Sequence, residues 1–134
     1  DGGAPARIMN LGAAGAAIEA GMFVDINSSG NIVAATDDQA ASASGEKVAL
    51  GVLLVDAVSG EPTSIVTGKG IVCNVQAAEA LATIGTEVTI DNAGKVEATA
   101  DADAHRAVGI TLAASFTGAD SGGADTTFVK VLLL

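Results

Sequence analysis

The chain has no tryptophan, no tyrosine and only three phenylalanines among its 134 residues. Pockets for sugars, nucleobases and other planar ligands are lined largely by aromatic rings, so that class of site has little to be built from. Its one cysteine, Cys73, excludes a disulfide-stapled scaffold, a Cys-based zinc finger and an iron–sulfur site. A single histidine, His105, leaves one imidazole base for any Ser-His or Cys-His nucleophile. Six basic residues stand against sixteen acidic ones, a formal net charge of −10. Such a surface repels phosphate backbones and anionic membranes, which excludes nucleic acid and membrane as partners. No apolar run approaches the ~18 residues of a transmembrane helix. Nor does a basic segment precede an apolar one, as in an intact signal peptide.

Small residues dominate what is present. Alanine and glycine account for much of the chain, with 17 glycines, and the hydrophobic fraction of 49% reflects alanine and β-branched residues suited to tight sheet packing. A chain of this length is one ordinary domain and can hide roughly two-thirds of its unfolded surface without staples.

Residues 1–20 are Gly/Ala-rich with scattered apolar side chains, Ile8, Met9, Leu11 and Ile18. Gly12 and Gly15 weaken a helix there, and strand alternation is not sustained. The segment reads as an extended N-terminal arm.

From Gly21 short β-type runs alternate with turn chemistry. Met22-Phe23-Val24-Asp25-Ile26 leads through Asn27-Ser28-Ser29-Gly30 into Asn31-Ile32-Val33-Ala34, and Thr86-Glu87-Val88-Thr89-Ile90 leads through Asp91-Asn92-Ala93-Gly94 into Lys95-Val96-Glu97-Ala98. Both read as hairpins. Laying Gly21 on Gly85 puts Val24 on Val88, Ile26 on Ile90, Gly30 on Gly94, Ile32 on Val96 and Ala34 on Ala98. Each hairpin is followed by a polar loop (36–47 or 100–106) and an apolar strand (48–54 or 107–112). A Gly turn (59–62 or 117–120) and a last strand (63–66 or 127–133) complete each copy. An internal repeat of this kind builds one core from one supersecondary unit used twice. Between the copies, residues 68–75 read as a further strand, and 77–82, built of good helix formers, as a short helix. The expectation is an all-β domain over 21–134. It consists of duplicated units, 21–67 and 85–134, forming a small β-sandwich or partly closed barrel.

Candidate chemistry is sparse. In Asp101-Ala102-Asp103-Ala104-His105, alternate side chains on a strand would face one way, as metal ligands do. The segment lies in a polar loop, and its counterpart Asp37-Asp38-Gln39 has no histidine, so a solvated acidic loop is the better reading. Asp25, Asn27, Ser29 and Gly30 resemble the start of a calcium loop, but the twelfth position is Thr36 rather than a bidentate glutamate; turn formation explains them better. Cys73 amid Ile71, Val72 and Val75 reads as a buried strand thiol. Gly68-Lys69-Gly70 lacks the phosphate-loop spacing and reads as a tight turn. Neither a catalytic constellation nor a cofactor or metal site emerges, so the chain is read as a non-enzyme.

The arrangement Gly21, Val24, Ile26, turn, Gly30, Ile32, Ala34, then Leu50-Gly51-Val52, Gly60-Glu61 and Ile65-Val66, with the second copy in parallel, resembles the capsid decoration, or cement, proteins of tailed bacteriophages. The resemblance covers most of 21–134 and rests on structural punctuation, and the doubling departs from shorter members that carry one unit. It implies a virion protein on the outer capsid surface, commonly a homotrimer, which binds the major capsid protein and holds neighbouring subunits together. The arm would then supply contacts to the capsid or a neighbouring subunit through Ile8, Met9, Leu11 and Ile18, since too few large apolar residues are present there to form a core alone. A secreted or surface β-module of an adhesin or filament shares the composition and is the alternative.

Overall fold

A computed structural model describes residues 7–36, 49–91, 93–99, 107–120 and 122–134. Two turns of one chemistry organise its hairpins. The Asn27 Oδ1 accepts the Ser29 and Asn31 amides at 3.0 and 2.9 Å, and the Asp91 Oδ1 accepts those of Ala93 and Lys95 at 2.8 and 2.9 Å. Gly30 and Gly94 close these turns at φ of 82° and 74°, a left-handed conformation that costs glycine nothing sterically. The first turn joins β2 (Phe23–Ile26) to β3 (Ile32–Ala34), and the second joins β7 (Glu87–Ile90) to β8 (Val96–Ala98). In the first hairpin Val24 pairs with Ala34 and Ile26 with Ile32; in the second, Val88 pairs with Ala98 and Ile90 with Val96.

The remaining strands extend these hairpins by antiparallel pairing. β4 (Gly51–Leu53) lies against β2, β5 (Ile65–Thr67) against β4, and β1 (Arg7–Met9) against β5. The first sheet therefore runs β1-β5-β4-β2-β3. In the second, β9 (Gly109–Thr111) lies against β7, and the long β11 (Asp125–Leu133) pairs with β9, β10 (Phe116–Ala119) and β6 (Val72–Gln76). The result is two antiparallel sheets sharing a core, consistent with a β-sandwich.

Burial differs between the sheets. β2 and β4 are buried at Phe23, Val24 and Asp25 and throughout Gly51–Leu53, the pattern of strands covered on both faces. One face of the first sheet sends Phe23, Ala35, Val52 and Val66 into the core shared with Val75, Val88, Val129 and Val131. The other sends Val24, Ile32, Leu53 and Ile65 onto Ala14, Ile18 and Ala57. β11 instead alternates at its end, with Val129, Val131 and Leu133 inside and Lys130 exposed. Each fully buried Val, Leu or Ile contributes about 1.5–3 kcal/mol over its exposed state.

Three expectations need correction. Over 7–20 the segment read as an arm is woven into the first sheet. β1 pairs with β5, Ala14 bridges Ile32, and the Ile18 and Ala57 backbones exchange hydrogen bonds of 2.8 and 3.0 Å. Residues too few to form a core alone are enough to complete one whose other half lies in β2–β5. The helix over 77–82 does not form: Ala77 is held in a β-bridge to Val96, and the Leu81 amide, which a helix would aim at the Ala77 carbonyl, donates to the Ser115 Oγ at 2.8 Å. The Ala77 and Ala78 amides donate to the Thr127 and Val96 carbonyls at 2.8 Å. The turn read over 117–120 is mostly strand β10, with Phe116 stacked on Phe128 at 5.9 Å. The chain reverses instead after Asp120, whose Oδ1 accepts the Ala124 amide at 2.8 Å. Both polar loops lie almost wholly outside the described residues, the acidic run ending at His105 included.

Candidate interaction surface

Among the described residues, no three His, Cys, Asp or Glu side chains converge as metal ligands, so the polar groups must be judged by what holds them. A cavity of about 350 Å³ lies between the sheets and is lined by Val52, Val66, Cys73 and Phe128, with Glu19, Asp56 and Asp120 at its rim. Its carboxylates have structural partners. Glu19 Oε2 accepts Gln76 Nε2 at 3.0 Å, Asp56 Oδ1 accepts the Ala20 amide at 2.7 Å, and Asp120 closes its own turn. Burial pushes the Cys73 thiol up to about 11, so at neutral pH it stays protonated and is a poor nucleophile. The calcium-like run has likewise spent its oxygens: Asn27 Oδ1 is taken by two amides, and Asp25, nearly buried, accepts the Ile26 amide at 2.7 Å.

Apolar exposure is the more telling feature. Of the four residues read as contacts, Ile8 and Met9 lie on the edge strand β1, 63% and 40% exposed. The other two are not free: Ile18 is buried inside the first sheet's own core, and Leu11 packs half-buried against it. Sequence reasoning missed further exposed positions. Val55 and Val58 precede Gly60, Val72 sits on β6, and Ile26 ends β2 at 41% exposure. Its alternation with Val24 argues for a core position beside Val24, Val52, Val88, Ile90 and Ile110, and the structure overturns this for Ile26, because exposure is set by what packs across the sheet.

Edges, turns and apolar side chains thus make the accessible surface of an all-β, two-sheet module. No protein-family model and no curated protein sequence matches the chain. Among solved structures it is similar to the crystal structure of the head fiber gp8.5 N base in bacteriophage phi29, with a TM-score of 0.62 and 14% identity over 97% of this chain and 95% of that one. At that identity the likeness is one of fold, and it spans both sheets.

Proposed function

We propose that the chain is a structural, non-catalytic virion protein that sits on the outer surface of a tailed-phage head. There, as a homotrimer, it binds major capsid subunits and cements neighbours together. The observation that carries this reading is the whole-chain likeness to the phage head fiber base. The decoration-protein resemblance of the Gly, Val and Ile punctuation in 21–134 points the same way. Physically, many copies each making a modest contact hold a lattice that no single contact could. The edge of β1, unpaired among the described strands and with Ile8 exposed, is the contact to a capsid subunit. An unpaired edge can take up a strand of a neighbour, gaining backbone hydrogen bonds.

The chain is also read as one unit used twice, beginning at β1 and β6 rather than at Gly21 and Gly85. Four pairings support this. Val24↔Ala34 matches Val88↔Ala98, both 64 positions on. Phe23↔Val52 matches Glu87↔Ile110, Val52↔Val66 matches Ile110↔Leu132, and Ile8↔Val66 matches Val72↔Leu132.

Co-sedimentation with empty expanded shells of tailed-phage major capsid protein tests the functional reading. Saturable pelleting at a fixed ratio to capsid subunits is expected, weakened by Ile8→Asp. Protein left in the supernatant at micromolar shell concentrations would refute it.

A further inference from the structure

If the chain is one unit used twice, the contact between its halves is a template for a contact between chains. The first unit presents Phe23, Ala35, Val52 and Val66, which are 3%, 1%, 4% and 9% exposed because the second unit covers them. The second unit receives them on Ile90, Leu133, Cys73 and the Gly94 turn, where the Phe23 amide donates to the Gly94 carbonyl at 2.8 Å. The backbone is close there: a Cβ on Gly94 would lie 2.7 Å from the Phe23 oxygen.

Among the described residues, nothing covers the matching surfaces at the two ends of the chain in this way. Corresponding to Phe23, Val52 and Val66, the second unit carries Glu87, exposed, with Ile110 and Leu132 half-buried. Ile26 on the first unit corresponds to Ile90, and it is 41% exposed against 1%. Gly30 corresponds to Gly94, and nothing lies within 4 Å of a Cβ built there. Met9, the counterpart of Cys73, is 40% exposed. Each chain therefore carries a donor face without a receiver and a receiving face without a donor.

We propose that a second copy of this chain fills both. The Glu87, Ile110 and Leu132 face of one copy seats on the Met9, Ile26 and Gly30 face of the next and repeats the contact that joins the halves of a single chain. This inference rests on the repeat reading. The occupant follows from continuity with the internal interface, whose two sides already show the shapes that fit. The contact is heterologous, using different patches on the two partners, and contacts of this type close into rings when the rotation allows. Glu87 stands where the internal contact has the Phe23 ring, which makes the contact between chains weaker than the one within.

Light scattering after gel filtration of the full chain measures this. The parent is expected to run as an oligomer at tens of micromolar. Ile26→Asp and Leu132→Asp should each shift it to monomer, and mixing those two variants should give a 1:1 heterodimer, since each keeps one intact face. Glu87→Phe should tighten association about tenfold or more, and adding Ile26→Asp should cancel the gain. Should Leu132→Asp lose its sheet circular dichroism, the Glu87→Phe pair still decides. A monomeric parent, aspartate variants that keep the parent's mass, a mixture that stays monomeric, or an inert Glu87→Phe would each overturn the proposal. The repeat reading fails separately, if residues 7–67 and 72–133 do not superpose in an experimental structure.

Discussion

Ile18→Ala measures whether residues 7–20 belong to the fold. Ile18 is 3% exposed, packs with Val24, Ile32, Leu53 and Ile65, and exchanges two backbone hydrogen bonds with Ala57. Truncation beyond Cβ removes the buried part of the side chain while that backbone pairing holds the segment in place. Its near neighbours Ala14 and Ala57 are too small to move into the gap, so both the transfer and the cavity contributions apply. Buried Ile→Ala changes cost about 2–5 kcal/mol, and about 3 kcal/mol is expected here. For a domain of this size that lowers Tm by about 10 °C. Ile8→Ala, at a position 63% exposed, is the control and should stay within ~0.5 kcal/mol of the parent. With no Trp or Tyr in the chain, urea unfolding is followed by far-ultraviolet circular dichroism and melting by calorimetry. Equal midpoints for the two variants would show that the segment is a free arm and that its burial contributes nothing to stability.

Gly94→Ala and Gly30→Ala both force alanine into a left-handed turn, at about 1–2 kcal/mol. Only the Gly94 variant should lose substantially more, because its Cβ meets the Phe23 oxygen; equal urea midpoints would contradict the tight contact between the sheets. Cys73 should react with a thiol-selective disulfide reagent far more slowly in the folded protein at pH 7–8 than in urea. Because its folded pKa, about 11, lies above the ordinary 9.0, the folded state holds the proton longer. That contribution to stability is complete below pH 9 and falls as pH rises towards 11, and Cys73→Ala should flatten the loss. Rapid labelling of the folded protein would contradict the burial. Calcium or a chelator should move Tm by less than about 1 °C, given that Asn27 already satisfies two amides; a calcium-dependent rise would restore the metal reading of that turn.

Both hairpins were legible because their information is local. An Asx residue, a glycine three positions on and apolar residues of period two are enough to set turn and register. The scarcity of aromatic rings and histidines was equally plain in the composition. Residues 7–20, the stretch 77–82 and strand β10 were not legible, and each depends on partners distant in sequence. Residues 77–82 have helical propensity, but Thr127, Val96 and Ser115 take their amides, and a pairing across the fold outweighs a few tenths of a kcal/mol of local preference per residue. Strand β10 looked like a turn because its glycine and threonine are turn-compatible; β11 supplies the ladder that makes it a strand.

Composition and local pattern by themselves determined that this is an acidic, all-β chain of short strands with two like hairpins. Those properties follow from residue chemistry and from contacts a few positions apart. The tertiary structure alone decided that Ile18 is core while Ile8 is surface, and that Ile90 is covered while Ile26 is open. Identical residue types acquire opposite roles there because burial is a property of what packs across the sheets. The two hairpins share a pattern and both reach the shared core, but the Gly94 turn closes on Phe23 of the other sheet while nothing lies within 4 Å of a Cβ built on Gly30.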